Sequence, residues 1–172
     1  MSRTRVSMLD FIRTGTLKGI GVGSEMRACG ELLGPPEVWE YKWENYFPAI
    51  WCYGDVQIYM EEKEPGNIYV SYMMIMPGSS RRDNKIAGRR GLALSPGGLE
   101  SCMLFAPFMA LMESNGIKCE DAFNKYLKPG VRAYIRLNGK TYATFLSDEN
   151  DESVLWLSAL EAYGEQDLRS TD

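Results

Sequence analysis

The chain has 172 residues, of which 45% are hydrophobic and 24% are charged, and its formal net charge is -4. This composition indicates a globular protein of one domain or two small, tightly packed ones, and the weak negative charge favours a basic partner over nucleic acid. The sequence contains no histidine, which removes the commonest general base near neutral pH and the commonest metal ligand. We therefore expect neither enzyme activity nor a cofactor.

Cysteine usage and hydropathy bear on the cellular compartment. The four cysteines form no CxxC pair and each lies in an apolar or periodic stretch; they are Cys29, Cys52, Cys102 and Cys119. This favours buried free thiols in a reducing compartment, with two disulfides in an exported protein as the alternative. The N-terminal segment has no apolar core of signal-peptide length, and no stretch approaches the length of a membrane span. The sequence predicts a cytoplasmic protein that does not bind a membrane.

Two helices are predicted near the start of the chain. Residues 8–13 can form a short helix with Leu9 and Ile12 turned inward. Ser24 is a good N-cap for a second helix, which Gly34 and the prolines after it would end. The glycine-rich stretch between them has neither the strand nor the acidic residue of a dinucleotide fingerprint.

The remainder of the first half alternates in the manner of strands. Trp39, Tyr41 and Trp43 recur with period two, which is typical of a half-buried strand. A hairpin is predicted around Gly54-Asp55, with Trp51 opposite Ile58 and Ile50 opposite Tyr59 if the turn holds two residues. A fourth strand is predicted over residues 67–76. Its alternation places Ile68, Val70, Tyr72, Met74 and Met76 on one face and Tyr69, Ser71, Met73 and Ile75 on the other.

Periodicity disappears between residues 77 and 98, which we interpret as a mobile linker or a long surface loop. This connector carries five basic residues, namely Arg81, Arg82, Lys85, Arg89 and Arg90. Their alternative role is nucleic-acid binding, in which the protein would be a nucleic-acid-binding or phage-defence adaptor. No aromatic residue is interleaved to stack bases, so nucleic acid is the less favoured partner.

The second half repeats the same order of elements. Helices are predicted over residues 105–114 and 119–127, and strands over residues 131–137, 140–146 and 154–160. The first two of these strands turn at Asn138-Gly139, the strongest hairpin signal in the chain. The predicted fold is therefore α+β, with two tandem units at 1–76 and 99–172. Each unit has two short helices followed by a three- to four-stranded antiparallel sheet, and the sheets are either separate or merged into one.

The segment GVGSEMRACGELLGPP and the strand after it carry a resemblance. A polar-capped helix that ends in Leu-Gly-x-Pro before an aromatic strand is similar to the unit of the beta-lactamase-inhibitor-protein family and of small outer-membrane assembly lipoproteins. The YGDV stretch resembles small bacterial immunity-type proteins. Residues 24–76 carry the resemblance, and the second half shares only the order of elements. The chain departs from these families in lacking an export signal, a lipidation signal and an obvious disulfide framework.

The resemblance implies tandem units whose sheets form one concave surface that grips another protein. The aromatic residues it would use are Trp39, Tyr41, Trp43, Tyr59, Tyr69, Tyr142 and Trp156. Two acidic loops fall at equivalent places in the halves and would meet a basic active-site cleft; they comprise Glu61, Glu62 and Glu64, and Asp148, Glu149, Asp151 and Glu152.

The favoured function is accordingly a protein-binding inhibitor, most concretely a cytoplasmic immunity protein that occludes the active site of a bacterial toxin. In the alternative interpretation the aromatics belong to the core and the acids only solvate turns. A carboxylate-based enzyme is the least favoured hypothesis, because Glu113, Glu120 and Asp121 have no spacing that pairs them in a known hydrolytic arrangement.

Overall fold

A computed structural model of the chain describes residues 4–41, 48–77, 92–122, 131–148 and 150–163. Within these ranges the protein is α+β, with three short helices, a large antiparallel sheet and a small parallel sheet. The helices are α1 (Met8–Thr14), α2 (Met26–Leu33) and α3 (Phe105–Ser114). The strands are β1 (Thr4–Ser7), β2 (Val38–Tyr41), β3 (Pro48–Tyr53), β4 (Val56–Glu64), β5 (Asn67–Ile75), β6 (Leu92–Ser95), β7 (Cys119–Asp121), β8 (Val131–Leu137), β9 (Thr141–Ser147) and β10 (Leu155–Tyr163).

The large sheet has eight strands in the order β2-β3-β4-β5-β10-β9-β8-β7, and its pairs are antiparallel. Strands from the first half of the chain meet strands from the second half at the β5–β10 pair, which we call the seam. At the seam Leu160 lies opposite Ile75, and Tyr163 lies opposite Tyr72. Strands β1 and β6 form the separate two-stranded parallel sheet. The two halves thus share one continuous sheet.

The strands that meet at the seam carry the same irregularities. In β5, Ser71 is an extra residue between two that pair with β4, and in β10 Ser158 is an extra residue between two that pair with β9. Each is a β-bulge, which shifts the alternation of side chains along its strand by one residue. The start of β5 also bridges to Glu25, and the start of β10 bridges to Leu104; both bridging residues are helix N-caps.

The hydrophobic core lies between one face of the large sheet and the helices. Helical side chains such as Phe11, Leu33 and Phe108 join sheet residues such as Ile58 and Phe145 in one buried cluster. Phe108 meets Phe145 edge to face, with ring centroids 5.2 Å apart, an arrangement that aromatic pairs favour. The buried side chains of the three described helices all belong to this cluster. None of these helices lies on the opposite face of the large sheet, which we call the helix-free face.

The surroundings of Gly97 require a residue without a side chain, whereas those of Gly30 do not. Gly30 lies inside α2, and a Cβ built there would be 3.6 Å from Cη2 of Trp51, an ordinary contact. No backbone atom approaches Gly30 within that range, so close backbone packing does not explain the glycine. Gly97 differs, because its φ is +61° and a Cβ would lie only 2.8 Å from Cγ of Leu9.

Several predicted elements are confirmed. The first helix, the helix at 105–114 and the strand at 131–137 lie where the patterns place them. The first hairpin has a two-residue turn, with Trp51 opposite Ile58 as predicted. The second turns at Asn138 and Gly139, whose φ angles are 49° and 71°, the left-handed conformation that this hairpin turn requires.

Other predictions are wrong. The predicted helix over residues 119–127 begins instead as strand β7, which pairs with β8, and residues 123–130 lie outside the described residues. Within the described part of the second half there is one helix rather than two. The end of the predicted connector contains β6, and β1 was not predicted. The N-cap of α2 is Glu25 rather than Ser24, whose hydroxyl accepts the Gly21 N–H at 3.0 Å.

The predicted faces of β5 are also wrong, because the bulge at Ser71 interrupts the alternation. Val70, Met73 and Ile75 are buried and face the helices, whereas Tyr72 and Met74 lie on the opposite face.

The cysteines are free thiols with unequal burial. Cys29 is buried in the core, and this burial raises its pKa to about 11. Cys102 is exposed, which contradicts the expectation that all four are buried. Among the described residues, no helix is long and apolar enough to cross a membrane.

Candidate functional site

A row of five tyrosines crosses the helix-free face of the sheet. It runs over five neighbouring strands, and we call it the tyrosine band; its members are Tyr59 on β4, Tyr72 on β5, Tyr163 on β10, Tyr142 on β9 and Tyr134 on β8. Tyr59 pairs with Tyr72, and Tyr72 pairs with Tyr163, so these side chains lie next to one another on the same face of the sheet. This face is the one opposite the core. The face away from the helices therefore carries an aromatic surface.

The rings of the band touch one another in sequence. The centroids of Tyr59 and Tyr72 are 5.0 Å apart, and those of Tyr72 and Tyr163 are 4.8 Å apart. Tyr163 meets Tyr142 edge to face at 5.7 Å, and Tyr142 stacks on Tyr134 at 4.9 Å. Tyr134 and Tyr142 are only 5% and 4% exposed, whereas the other three are half-buried. Contacts of this kind hold each ring in place.

The carboxylate of Glu161 lies in the middle of the band. The Tyr72 hydroxyl donates to Oε1 of Glu161 at 2.5 Å, and the Thr144 hydroxyl donates to Oε2 at 2.8 Å. Glu161 is half-buried, and within the described ranges its recorded partners include no Lys or Arg. Neutral hydroxyls, rather than a cation, therefore hold this charge.

The same arrangement keeps the neighbouring phenols neutral. Burial, reinforced by the negative charge of Glu161, raises the pKa of Tyr163 to about 12. Burial and the Glu161 charge also raise the pKa of Tyr72 well above its ordinary value. Both tyrosines consequently remain protonated hydrogen-bond donors throughout the physiological pH range.

A second carboxylate on this face is paired quite differently. Glu120 on β7 pairs with Arg136, Arg136 pairs with Tyr142, and Tyr142 pairs with Glu161. These four residues therefore form one transverse row, perpendicular to the strands, on the same face of the sheet. Its Oε1 is 2.5 Å from Nζ of Lys118, and its Oε2 is 2.7 Å from Nη2 of Arg136. Hydrogen bonds from Lys118 and from Arg136 hold the pKa of Glu120 at about 2, well below its usual range. Glu120 thus already has two cations, in contrast to Glu161.

The structure divides the predicted aromatic residues between two faces. Tyr59 and Tyr142 belong to the tyrosine band. Trp39 pairs with Trp51 on the face that carries the helices and is 50% exposed there.

The remaining predicted aromatics lie at strand ends or outside the described residues. Tyr69 and Trp156 are half-buried near the starts of β5 and β10. Tyr41 ends β2, with its side chain outside the described residues, and Trp43 lies outside them altogether. The predicted set therefore does not form one surface.

The two acidic loops lie at opposite ends of the sheet, because β5 and β10 are antiparallel and each loop precedes one of them. Counting along the paired strands from Asn67 to Leu155 at about 3.3 Å per residue gives a separation of roughly 40 Å. A single small cleft cannot contact both loops at once.

Several of the acidic side chains in these loops also bond within their own turns. In the first loop, Glu62 accepts the Gly66 N–H at 2.7 Å and Glu64 accepts from the Asn67 amide at 3.2 Å, while Glu61 is exposed. In the second loop, Asp148 accepts the Asn150 N–H, and Asp151 accepts from Ser153, whose hydrogen bonds lower the pKa of that carboxyl. Glu152 is exposed, and Glu149 lies outside the described residues. These contacts favour turn-stabilising roles for four of the predicted acids.

An open apolar groove of about 690 Å³ runs between α3 and the edge strand β7. Its lining consists of Phe105, Ala106, Met109, Ala110, Glu113, Ile117 and Cys119. Within the described residues, no group of three or more His, Cys, Asp or Glu side chains could hold a metal ion. The basic residues Arg81, Arg82, Lys85, Arg89 and Arg90 lie outside the described part of the chain.

Sequence reasoning missed most of the tyrosine band and its centre. Tyr72 was assigned to the wrong face of its strand. The third strand of the second half was predicted to end at Leu160, before Glu161 and Tyr163. A period-two extension through Leu157, Ala159, Glu161 and Tyr163 was available as a signal, although the bulge at Ser158 obscures it.

Comparison with protein-family models, with curated proteins and with solved structures finds no match for this chain.

Proposed function

We propose that this protein is a binding module rather than an enzyme, and that it binds a protein partner through the helix-free face of its large sheet. The observation that carries the proposal is the tyrosine band, in which Tyr59, Tyr72 and Tyr163 are half-buried on a face that none of the described helices covers. Tyrosine is enriched at the energetic centres of protein interfaces because its ring supplies apolar area and its hydroxyl supplies a hydrogen bond.

The rigidity of the band supports the same proposal. Each ring contacts the next, and the backbone beneath them belongs to a sheet whose other face is buried by the core. Side chains that are already ordered lose little conformational entropy when a partner covers them. A sheet surface of this kind therefore binds at a lower entropic cost than a set of mobile loops.

We further propose that the two halves are tandem copies of one unit. The order of β2 to β5 mirrors the order of β7 to β10 about the seam, and the bulges at Ser71 and Ser158 occupy corresponding places. The helix N-caps Glu25 and Leu104 bridge to corresponding strands. Duplication would explain how a wide sheet with a central aromatic surface arises from one short module.

The most concrete form of the function is a cytoplasmic immunity protein that occludes the active site of a bacterial toxin. A carboxylate at the centre of the surface and the net charge of -4 favour a partner with a basic cleft. The resemblance of the GVGSEMRACGELLGPP segment to inhibitor-type proteins points the same way.

Site-specific photo-crosslinking tests which face binds. A photoreactive phenylalanine analogue is placed at Tyr59 on the helix-free face and, as a control, at Glu113 on the exposed surface of α3. We expect one discrete protein adduct from the Tyr59 probe in cells that naturally contain this chain, and none from the Glu113 probe. Adducts from Glu113 alone, or from neither position, would contradict the proposal.

The immunity hypothesis has a separate test in the captured partner. The partner is expressed alone and then together with this chain, and growth is measured. We expect the partner alone to arrest growth, the wild-type chain to restore it, and a chain with Tyr59→Ala and Tyr163→Ala to restore it poorly. A harmless partner would remove the immunity hypothesis and leave the binding face intact.

A further inference from the structure

We propose that the partner inserts an arginine side chain over Glu161, where the guanidinium pairs with the carboxylate and stacks on the surrounding tyrosine rings. This inference rests on the proposed function, because it names the chemical group that the helix-free face would bind.

The Glu161 carboxylate has unused capacity to accept hydrogen bonds. Oε1 of Glu161 accepts a hydrogen bond from Tyr72 and Oε2 accepts one from Thr144, and the Tyr163 hydroxyl also hydrogen-bonds this carboxylate. A carboxylate can accept about four hydrogen bonds in all, so at least one acceptor site remains free. Glu161 is only half-buried, which leaves that site within reach of another molecule.

Covering the charge of Glu161 with a partner has a cost in free energy. A partner that lies on this face removes the remaining water from Glu161, and the burial of an ionised carboxylate without a cation is strongly unfavourable. Among the described residues Glu161 forms no ion pair with a Lys or Arg, and Arg136, which lies in the same row across the sheet, is already paired with Glu120. We therefore assign the cation to the partner.

Arginine fits this position better than lysine does. The planar guanidinium can donate to both carboxylate oxygens at once, whereas an ammonium acts as a point charge. It also stacks on aromatic faces, and the partly exposed rings of Tyr72 and Tyr163 adjoin Glu161 through their register and hydrogen bonds. Because the raised pKa values of Tyr72 and Tyr163 keep them neutral, these rings add no competing negative charge.

Glu120 provides an internal comparison on the same face. It lies in the same transverse row of the sheet but is already paired with Lys118 and Arg136. A carboxylate whose cations come from its own chain has no need of one from a partner. We therefore expect an added guanidinium to bind at Glu161 and not at Glu120.

The test uses the full chain and two small probes. N-acetyl-arginine methylamide is titrated into protein with isotope-labelled tyrosine rings, and the citrulline analogue, which has nearly the same shape without the charge, is the matched control. We expect the arginine probe to shift the ring signals of Tyr72 and Tyr163 with saturation in the millimolar range. The citrulline probe should bind at least about tenfold more weakly.

Two variants localise the effect. Glu161→Gln keeps the size of the side chain and should abolish the saturable shifts, whereas Glu120→Gln should leave them unchanged. Circular dichroism spectra confirm that both variants fold. Equal binding of the citrulline probe, or undiminished arginine binding by Glu161→Gln, would overturn the inference.

The outcomes separate this inference from the proposed function. A crosslinked partner at Tyr59 without any arginine binding would refute the role of Glu161 and retain the binding face. Arginine binding without a crosslinked partner would retain the cation site and refute the proposed function.

Discussion

The hydrogen bond between Tyr72 and Glu161 links the two halves of the chain, and its removal gives a stability prediction that can be worked from the structure. Tyr72→Phe removes one hydroxyl and leaves the ring contacts at 5.0 and 4.8 Å with its neighbours. A hydrogen bond to a charged acceptor contributes about 1.5–3 kcal/mol. Because Glu161 is partly exposed, solvent screening places the expected loss in the free energy of unfolding at about 1–2 kcal/mol.

Tyr59→Phe is the matched control for this variant. Its hydroxyl donates to the neutral Oε1 of Gln57 at 2.7 Å, on the same face of the sheet. A neutral hydrogen bond contributes about 0.5–1.5 kcal/mol, so its removal should cost less. The free energy of unfolding is measured by urea titration followed by circular dichroism, with the slope of each titration compared to check that the unfolded states are alike.

A double-mutant cycle of Tyr72→Phe with Glu161→Gln identifies the interaction itself. Residues that share a hydrogen bond show non-additive effects of about 0.5 kcal/mol or more. We expect a coupling of at least that size between these two positions. Additive effects, or a loss for Tyr72→Phe no larger than that for Tyr59→Phe, would refute the reasoning that the carboxylate is held by this hydroxyl.

Three further predictions concern the helix, the ion pair and the seam. Gly30→Ala should raise the free energy of unfolding by about 0.5–1 kcal/mol, because the helix has room for a methyl group. Gly97→Ala should lower it, because the φ of Gly97 is positive and a Cβ there would collide with Leu9. Urea titrations in which both variants change the free energy of unfolding in the same direction would contradict this. Glu120 has a folded-state pKa depressed from 4.5 to about 2, so its pairing stabilises the fold above about pH 4.5 and is lost as the pH falls toward 2. The stability difference between wild type and Glu120→Gln should shrink over that interval, with Glu100→Gln as the control, and a constant difference would exclude the pairing. Leu160→Ala at the seam should cost about 2–5 kcal/mol and shift the fluorescence and circular dichroism transitions together, whereas separated transitions would show that the halves unfold independently.

The turns were the most predictable part of this fold because their chemistry is local. Asn138 and Gly139 both adopt positive φ, which few other residue pairs do readily, and the strands on either side follow from that turn. Gly54 and Asp55 likewise fix the register of the first hairpin. In each case the information lies within a few residues of the turn.

Elements that depend on distant partners were not predictable in this way. The segment after Cys119 has apolar residues at helical spacing, yet Cys119–Asp121 pairs with β8 as an edge strand. Tertiary pairing overrides a local helical preference when the partner strand offers a complete set of backbone hydrogen bonds. Strands β1 and β6 illustrate the same limit, since each has four residues and Thr4 pairs with Leu92, more than half of the chain away.

The site was harder to predict than the fold because bulges decide which side chains reach the helix-free face. A single extra residue moves every following side chain to the other face of a strand. Ser71 does this in β5, and as a result Tyr72 lies beside Tyr59 rather than in the core. A serine in a strand carries no distinctive bulge signal, so strict alternation gave the wrong face.

The central group of the site belongs to neither half alone. Tyr72 donates to Glu161 across 89 positions of sequence, and this contact forms only because β5 and β10 pair at the seam. Thr144, the second donor, comes from β9, which pairs with β10 on its other side. A search of each hairpin for a binding motif finds one or two tyrosines that could as well belong to a core. The cluster of Tyr72, Thr144 and Glu161, on which the proposed cation site rests, exists only after the strands of the two halves have paired, and its chemistry must therefore be derived from that pairing.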